Sequence, residues 1–135
     1  TSRTSGTSIR LEGIVYGSNI FVTIGSSGTL LTSPDGISWT SRTSGTSNNL
    51  YSVTYAKNIF VVVGSSGTIL TSPNGVTWTS RTSGTSNRLE GVIFGNKTFV
   101  AVGISGTILT STEGTSWTSR TSGTSINING ITYDE

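Results

Sequence analysis

Short apolar runs alternate with turns rich in Gly, Ser and Asn along the whole chain. In the first 39 residues the runs cover residues 11–16, 20–24 and 29–32, and a fourth joins residues 37–39 to the polar stretch that follows. Runs of this length bounded by turn residues are typical of β-strands, and no segment shows the spacing of an amphipathic helix. The pattern therefore predicts four short strands, connected by tight turns, in every 39 residues.

The chain is a repeat array. The octapeptide Thr-Ser-Arg-Thr-Ser-Gly-Thr-Ser begins at residues 1, 40, 79 and 118, which sets a period of 39 residues. Residues 1–135 are therefore predicted to form one array, with repeats 1–39, 40–78 and 79–117 and a partial repeat at 118–135. In such an array each unit buries its apolar surface against its neighbours.

Large aromatic residues recur once per repeat. The positions predicted to pack one sheet against the next are Phe21, Phe60 and Phe99, with Trp39, Trp78 and Trp117. A further aromatic series is Tyr16, Tyr55, Phe94 and Tyr133. Aromatic side chains bury large areas, so one series per unit favours interlocked neighbouring sheets.

A seven-residue turn carries a family resemblance. Residues 33–39 read Ser-Pro-Asp-Gly-Ile-Ser-Trp, residues 72–78 read Ser-Pro-Asn-Gly-Val-Thr-Trp and residues 111–117 read Ser-Thr-Glu-Gly-Thr-Ser-Trp. Each resembles the Asp-box turn between the third and fourth strands of a blade in sialidase-type and photosystem II assembly factor-like β-propellers.

The resemblance implies an all-β fold of propeller blades, each of four antiparallel strands. Three complete repeats would then be flanked by partial strands at both ends, and the structural turn residues would be Asp35, Asn74 and Glu113. The resemblance does not imply sialidase activity, because the arginine triad and the Tyr/Glu nucleophile pair of that family match no positions of this sequence.

The composition removes much of enzyme chemistry. The chain has no Cys, no His and no Met, so it lacks thiolate ligands and the residue that is both the commonest metal ligand and the commonest general base. The sequence predicts that the protein is not an enzyme and holds no metal or cofactor. The absence of Cys leaves its compartment open.

Charge and hydropathy bear on the partners. Charged residues make up 10% of the chain and the net charge is +2, with no run of basic residues, which gives no electrostatic patch for nucleic acid. No apolar run approaches the roughly 20 residues of a membrane span. Neither nucleic acid nor a membrane is therefore predicted as a partner.

Variation between repeats is concentrated at the start of the first strand. The candidate ligand-binding residues there are Arg10, Glu12, Asn49, Tyr51, Arg88 and Glu90. In propellers the first strand lines the central channel, so these side chains are candidates for hydrogen bonding a sugar or a peptide. The alternative is structural, because Arg10 and Glu12 lie two apart on one strand face and can pair with each other or across blades.

Three blades are too few to close a ring, since propellers usually have about four to eight. An open array exposes two apolar end faces, and the chain is therefore predicted to form a homo-oligomer. Residues 118–135 repeat residues 1–18 with substitutions, and residues 126–133 are predicted to be an orphan first strand that can replace residues 11–16 of a neighbour in a domain swap. In the alternative swap, the octapeptide at residues 1–8 closes the last blade of a neighbour. A dimer forming a six-bladed ring is the leading assembly; a larger or open assembly and a piece of a longer array are the alternatives.

The sequence thus favours a non-catalytic structural or interaction module, whose blades self-assemble through their repeat faces. The alternative function is a carbohydrate-binding lectin with a glycan as its partner. Its pockets would be repeated between blades, and repetition would add avidity.

Overall fold

The structure, a computed structural model, describes residues 1–134 and shows an all-β chain. Within these residues twelve strands form three four-stranded antiparallel sheets, which we call blades 1, 2 and 3. Blade 1 contains β1 (Leu11–Gly17), β2 (Ile20–Gly25), β3 (Leu30–Ser33) and β4 (Thr40–Ser41). Blade 2 contains β5 (Leu50–Ala56), β6 (Ile59–Gly64), β7 (Ile69–Ser72) and β8 (Thr79–Arg81). Blade 3 contains β9 (Leu89–Gly95), β10 (Thr98–Gly103), β11 (Ile108–Ser111) and β12 (Thr118–Arg120).

Each blade opens with a two-residue hairpin. In blade 1, Gly17 pairs with Ile20, and both turn residues have positive φ angles, 49° at Ser18 and 65° at Asn19. Two successive residues of positive φ form the type I′ turn, whose twist matches that of antiparallel strands. The same turn recurs at residues 57–58 and 96–97, so all three blades start in the same register.

The loop between the second and third strands brings consecutive blades into contact. In blade 1 it is a short 3-10 turn, Ser26–Gly28, in which Gly28 has a φ angle of 70°. A Cβ atom at Gly28 would lie 1.9 Å from the carbonyl oxygen of Thr46, and Ser44 Oγ donates a 2.6 Å hydrogen bond to the Gly28 carbonyl. Glycine recurs here because the segment that leads into the next blade crosses directly over this loop.

The blades stack face to face. We call one side of each blade its aromatic face, which in blade 2 comprises Leu50, Val53, Tyr55, Phe60 and Trp78. The opposite side is the aliphatic face, which in blade 1 comprises Val15, Ile20, Val22, Ile24 and Leu30. The aromatic face of blade 2 packs on the aliphatic face of blade 1, and blade 3 packs on blade 2 in the same way. The apolar core is therefore a series of seams between sheets.

The fourth strands begin later than the apolar pattern predicts. Residues 37–39 lie in the turn, and β4 starts only at Thr40. The turn before it is closed in the same way in all three blades, where the Oγ of the serine that ends the third strand accepts a hydrogen bond from the glycine N–H three residues later, at 2.8, 2.7 and 2.7 Å. In blade 1, Asp35 Oδ1 also accepts hydrogen bonds from the backbone N–H groups of Ile37 and Ser38, at 2.8 and 3.0 Å, and holds those amides within the turn. Each blade consequently takes its fourth strand from the first residues of the following repeat.

The prediction of an orphan strand at residues 126–133 is wrong, because that segment forms no strand in the structure. In each blade the first strand pairs with the second strand of the same blade, and residues 1–134 contain no such partner after residue 133. The segment nevertheless lies against blade 3, where the N–H of Ile128 donates a 3.0 Å hydrogen bond to the carbonyl of Gly103.

Candidate interaction surfaces

The predicted pair Arg10–Glu12 forms at the start of β1, and an equivalent pair forms at the start of β9. Arg10 Nε lies 2.9 Å from Glu12 Oε1, and Arg88 pairs with Glu90 in the same way. In both pairs the glutamate side chain is the more buried partner. The geometry is that of the structural alternative, in which residues two apart on one strand face neutralise each other.

Asn49 and Tyr51 form hydrogen bonds at the start of blade 2. Asn49 Oδ1 accepts a 2.8 Å hydrogen bond from the N–H of Ser27 in blade 1. The Tyr51 hydroxyl accepts hydrogen bonds from Ser65 Oγ at 3.3 Å and from Asn49 Nδ2 at 3.4 Å. These two bonds, and the positive charge of Arg88, lower the pKa of Tyr51 from its ordinary value because they favour the phenolate.

A cation–π contact links blades 2 and 3. The guanidinium carbon of Arg88 lies 5.7 Å from the centre of the Tyr51 ring, within the range of a favourable contact. Four of the six candidate residues, Asn49, Tyr51, Arg88 and Glu90, therefore form one cluster. Their polar groups bond to one another and to the backbone, and a glycan-binding role for them stays a prediction.

The three predicted turn residues do not behave alike. Asn74 Oδ1 accepts hydrogen bonds from the N–H groups of Val76 and Thr77, both at 2.9 Å, and so matches the turn made by Asp35. The backbone N–H groups of Ser38 and Ile37 lower the pKa of Asp35 because they stabilise its carboxylate. Glu113 instead forms an ion pair of 2.7 Å with Lys57 of blade 2, so this position ties two blades together.

The aromatic face of blade 1 has no blade packed on it. Ile14 is 60% exposed and Tyr16 is 55% exposed, whereas their equivalents in blade 2, Val53 and Tyr55, are partly buried, and Leu11 is 39% exposed where its equivalent Leu50 is fully buried. Tyr16 stacks on Phe21 with ring centres 4.8 Å apart, and Phe21 in turn contacts Trp39. The aromatic cluster is therefore packed within blade 1 alone, without a second blade, and it faces solvent. A groove of about 450 Å³ lies beside it, between residues 5–9 and the loop of blade 1.

The aliphatic face of blade 3 is the other end of the stack. Val100 and Ile108 are only partly buried there, whereas their equivalents in blade 1, Val22 and Leu30, are fully buried. The C-terminal segment covers part of this face, because Tyr133 lies over Gly95, and Ile131 Cγ2 would lie 3.6 Å from a Cβ atom at Gly91.

Two interactions were not predicted from the sequence. The Lys57–Glu113 pair crosses between blades, and its residues are 56 positions apart, so no local spacing points to it. The docking of residues 126–133 has a signal in the repeat alignment, because Tyr133 and Gly95 stand two repeats after Tyr55 and Gly17, which are also in contact.

Two further structural findings concern the described chain. Among residues 1–134, no group of three or more His, Cys, Asp or Glu side chains is placed to hold a metal ion. Within the same range no helix has the length and apolar character needed to cross a membrane.

The comparisons with known proteins concern the fold. No family model matches the sequence, and the search of curated proteins finds no match. A solved structure described as "YCF48 bound to D1 peptide" matches 84% of this chain with a TM-score of 0.72 and 18% sequence identity. The chain spans 40% of the length of that structure. The similarity supports a β-propeller fold, with the three sheets as its blades.

Proposed function

We propose that this chain is a non-catalytic interaction module whose end faces bind further blades of the same kind, so that copies of the chain self-assemble. The observation that carries the proposal is the uncovered aromatic face of blade 1. Ile14 and Tyr16 are more than half exposed, whereas their equivalents in blade 2, Val53 and Tyr55, are partly buried, and Leu11 is 39% exposed where Leu50 and Leu89 are fully buried.

The seams inside the molecule provide the template for the contact. The aromatic face of blade 1 would pack on the aliphatic face of blade 3 in another copy, as the aromatic face of blade 2 packs on blade 1. Taking a fully exposed side chain of the size of Ile completely out of water stabilises by about 1.5–3 kcal/mol, and the partly exposed Leu11, Ile14 and Tyr16 would each gain a part of this amount. Several such residues on one face favour association over exposure.

The contact joins two different faces and is therefore head to tail. Head-to-tail contacts generate a closed ring when the rotation between copies closes and an open filament when it does not. Two copies in a closed ring would contribute six blades, and we propose this dimer as the leading assembly. A domain swap is a second route to a dimer, in which residues 126–133 of one copy take the place of β1 in blade 1 of the other.

The solved neighbour also supports an interaction role. The protein in that structure, YCF48, is bound to a D1 peptide. For the present chain, a binding partner that supplies apolar side chains fits the exposed aromatic cluster of Tyr16, Phe21 and Trp39.

The test is the mass of the chain in solution, measured by light scattering over a hundredfold range of concentration. We expect a dimer or larger species for the native chain and a monomer for Ile14→Glu, which places a charge in the proposed seam. The matched control is Ile37→Glu: Ile37 is 49% exposed, and its equivalent in the middle blade, Val76, is still 44% exposed, so this position is outside the seams. A native chain that is monomeric at every concentration would overturn the proposal.

A further inference from the structure

The docked C-terminal segment has a consequence for assembly. We propose that residues 126–133 are an intramolecular cap, which covers the place on blade 3 where β1 of a second copy binds and is displaced by that copy. The inference rests on the proposed function, because it names the competitor for the self-assembly site.

The cap makes the contacts of a first strand without forming one. Asn127 Oδ1 accepts a 2.9 Å hydrogen bond from the N–H of Ser105, as Asn49 Oδ1 accepts one of 2.8 Å from the N–H of Ser27. Tyr133 lies over Gly95 at the position that Tyr55 occupies over Gly17. The cap therefore occupies the site to which the first strand of a following blade docks.

The cap also has the apolar sequence of β1 and the residues before it. The cap residues Ile126, Ile128, Gly130, Ile131 and Tyr133 correspond to Ile9, Leu11, Gly13, Ile14 and Tyr16. The two segments have the same apolar side chains at the same spacing except for Ile128 in place of Leu11. They would compete for the same surface, so the cap and a second copy cannot occupy it together.

The cap covers this surface less completely than a whole blade does. Ile126 is 74% exposed and Tyr133 is half exposed, and Val100 and Ile108 behind the cap remain partly exposed. In a second copy, Phe21 and Trp39 accompany β1 on the same face. They would cover the part of blade 3 that the cap leaves open, which gives the second copy the larger contact.

Charge favours the second copy as well. Inside the molecule, Arg88 lies over Tyr51 of the preceding blade. Glu90 occupies the same position in blade 3 that Tyr51 occupies in blade 2. The equivalent of Arg88 in an incoming copy is Arg10, which would therefore lie beside Glu90. The cap has the neutral Asn127 at that position, so only the second copy adds a positive charge next to this carboxylate.

A reversible disulfide tests the cap in the full chain. The chain has no cysteine, and a Cβ atom at Gly91 meets only ordinary contacts, with Ile131 Cγ2 at 3.6 Å and Val102 Cγ2 at 3.7 Å. In the double variant Gly91→Cys/Ile131→Cys, oxidation should lock the cap in place and abolish self-association, and reduction should restore it. Light scattering with and without reductant measures the change.

A second full-length variant opens the cap. Ile131→Asp/Tyr133→Asp should detach the segment and lower the apparent dissociation constant for self-association. Where the cap covers the site nine-tenths of the time, the decrease is about tenfold. The matched control is Asn129→Asp/Thr132→Asp, which adds the same charge at two exposed residues of the segment and should change the constant much less.

The outcomes separate the cap from the proposed function. The cap is overturned when the oxidised double variant associates as tightly as the reduced one, when the disulfide forms between two chains, or when opening the cap weakens association. In each of these cases the native chain still associates and the proposed function stands. Monomers for the native, reduced and opened chains alike would overturn both.

Discussion

At the scale of single residues, positions 35 and 74 show one turn made by two side chains of different charge. Asp35 and Asn74 each present one oxygen to two backbone N–H groups, at distances between 2.8 and 3.0 Å. These two hydrogen bonds require an oxygen acceptor at this place and do not require its charge. Only the carboxylate, however, makes the turn sensitive to pH.

The substitution Asp35→Asn should remove one source of acid sensitivity. The pKa of Asp35 is lowered in the folded state. Its ionised carboxylate therefore stabilises the fold at pH values above the ordinary aspartate pKa of about 3.9. That contribution is lost as the pH falls through the folded-state pKa. The free energy of unfolding, measured in urea, should fall less between pH 7 and pH 3 in Asp35→Asn than in the native chain.

The reciprocal variant is Asn74→Asp, in which the drop between pH 7 and pH 3 should increase. At pH 7 both variants should unfold close to the native midpoint, because Asp and Asn make the same backbone contacts here. Identical pH profiles for all three chains would contradict the role assigned to the Asp35 carboxylate.

Gly67 and Gly84 recur in every repeat for two different physical reasons. Both have positive φ angles, 69° and 78°, but only at Gly67 would a Cβ atom meet the backbone, 1.9 Å from the Thr85 carbonyl oxygen. Gly84→Ala should cost the left-handed strain alone, about 1–2 kcal/mol. Gly67→Ala should cost about 1–3 kcal/mol more, because the crossing segment must move.

Thermal and urea unfolding of the two variants measure this difference. Around Gly84 a Cβ atom has no other atom within 4 Å, so the comparison holds the backbone strain nearly constant and varies the steric contact. Equal losses of stability in the two variants would mean that the segment crossing the loop moves aside with no loss in the free energy of unfolding.

At the scale of the strands, the sequence was informative where structure is local. The first three strands of each blade follow from short apolar runs between turn residues. The fourth did not, because in every blade a turn closed by a hydrogen bond from a glycine N–H to the serine Oγ three residues before it occupies the residues that precede this strand. Residues 126–133 have the composition of a strand, yet a strand also needs a hydrogen-bonding partner, which no apolar pattern supplies.

The same limit applies to the polar cluster. The Arg10–Glu12 and Arg88–Glu90 pairs follow from residues two apart on a strand. The contact of Arg88 with Tyr51 depends on how two blades are rotated against each other. Only the stacked structure shows it, because the two residues belong to different repeats.

Phe60 and Phe21 measure what a seam contributes to stability. Phe60 is fully buried between blades 1 and 2, and Phe60→Ala should destabilise by about 3–5 kcal/mol. Phe21 is its equivalent on the uncovered face and is only partly buried. At low concentration, where copies are separate, Phe21→Ala should destabilise less, and urea unfolding followed by circular dichroism measures both.

A concentration series extends this comparison to the contact between copies. At high concentration the cost of Phe21→Ala should approach that of Phe60→Ala, because assembly stabilises by mass action. A cost for Phe21→Ala that does not change with concentration would argue against packing on this face.

At the scale of the whole molecule, the three blades have similar folds and unequal surroundings. Blade 2 is covered on both sides, by the aliphatic face of blade 1 and the aromatic face of blade 3. Blades 1 and 3 each have one face that is open or only partly covered. Stability in a linear array of this kind is set by each unit together with its nearest neighbours.

Blade 2, which is covered on both sides, should therefore be the last part of the chain to exchange its amide hydrogens for deuterium. Backbone amides of β6, whose Phe60, Val61, Val62 and Val63 are all fully buried, should show slower isotope exchange than those of β2 and β10 in the outer sheets. Fraying would then begin at the two ends and travel inward. For a protein built from near-copies of one unit, the order in which the units come apart is decided by their place in the row.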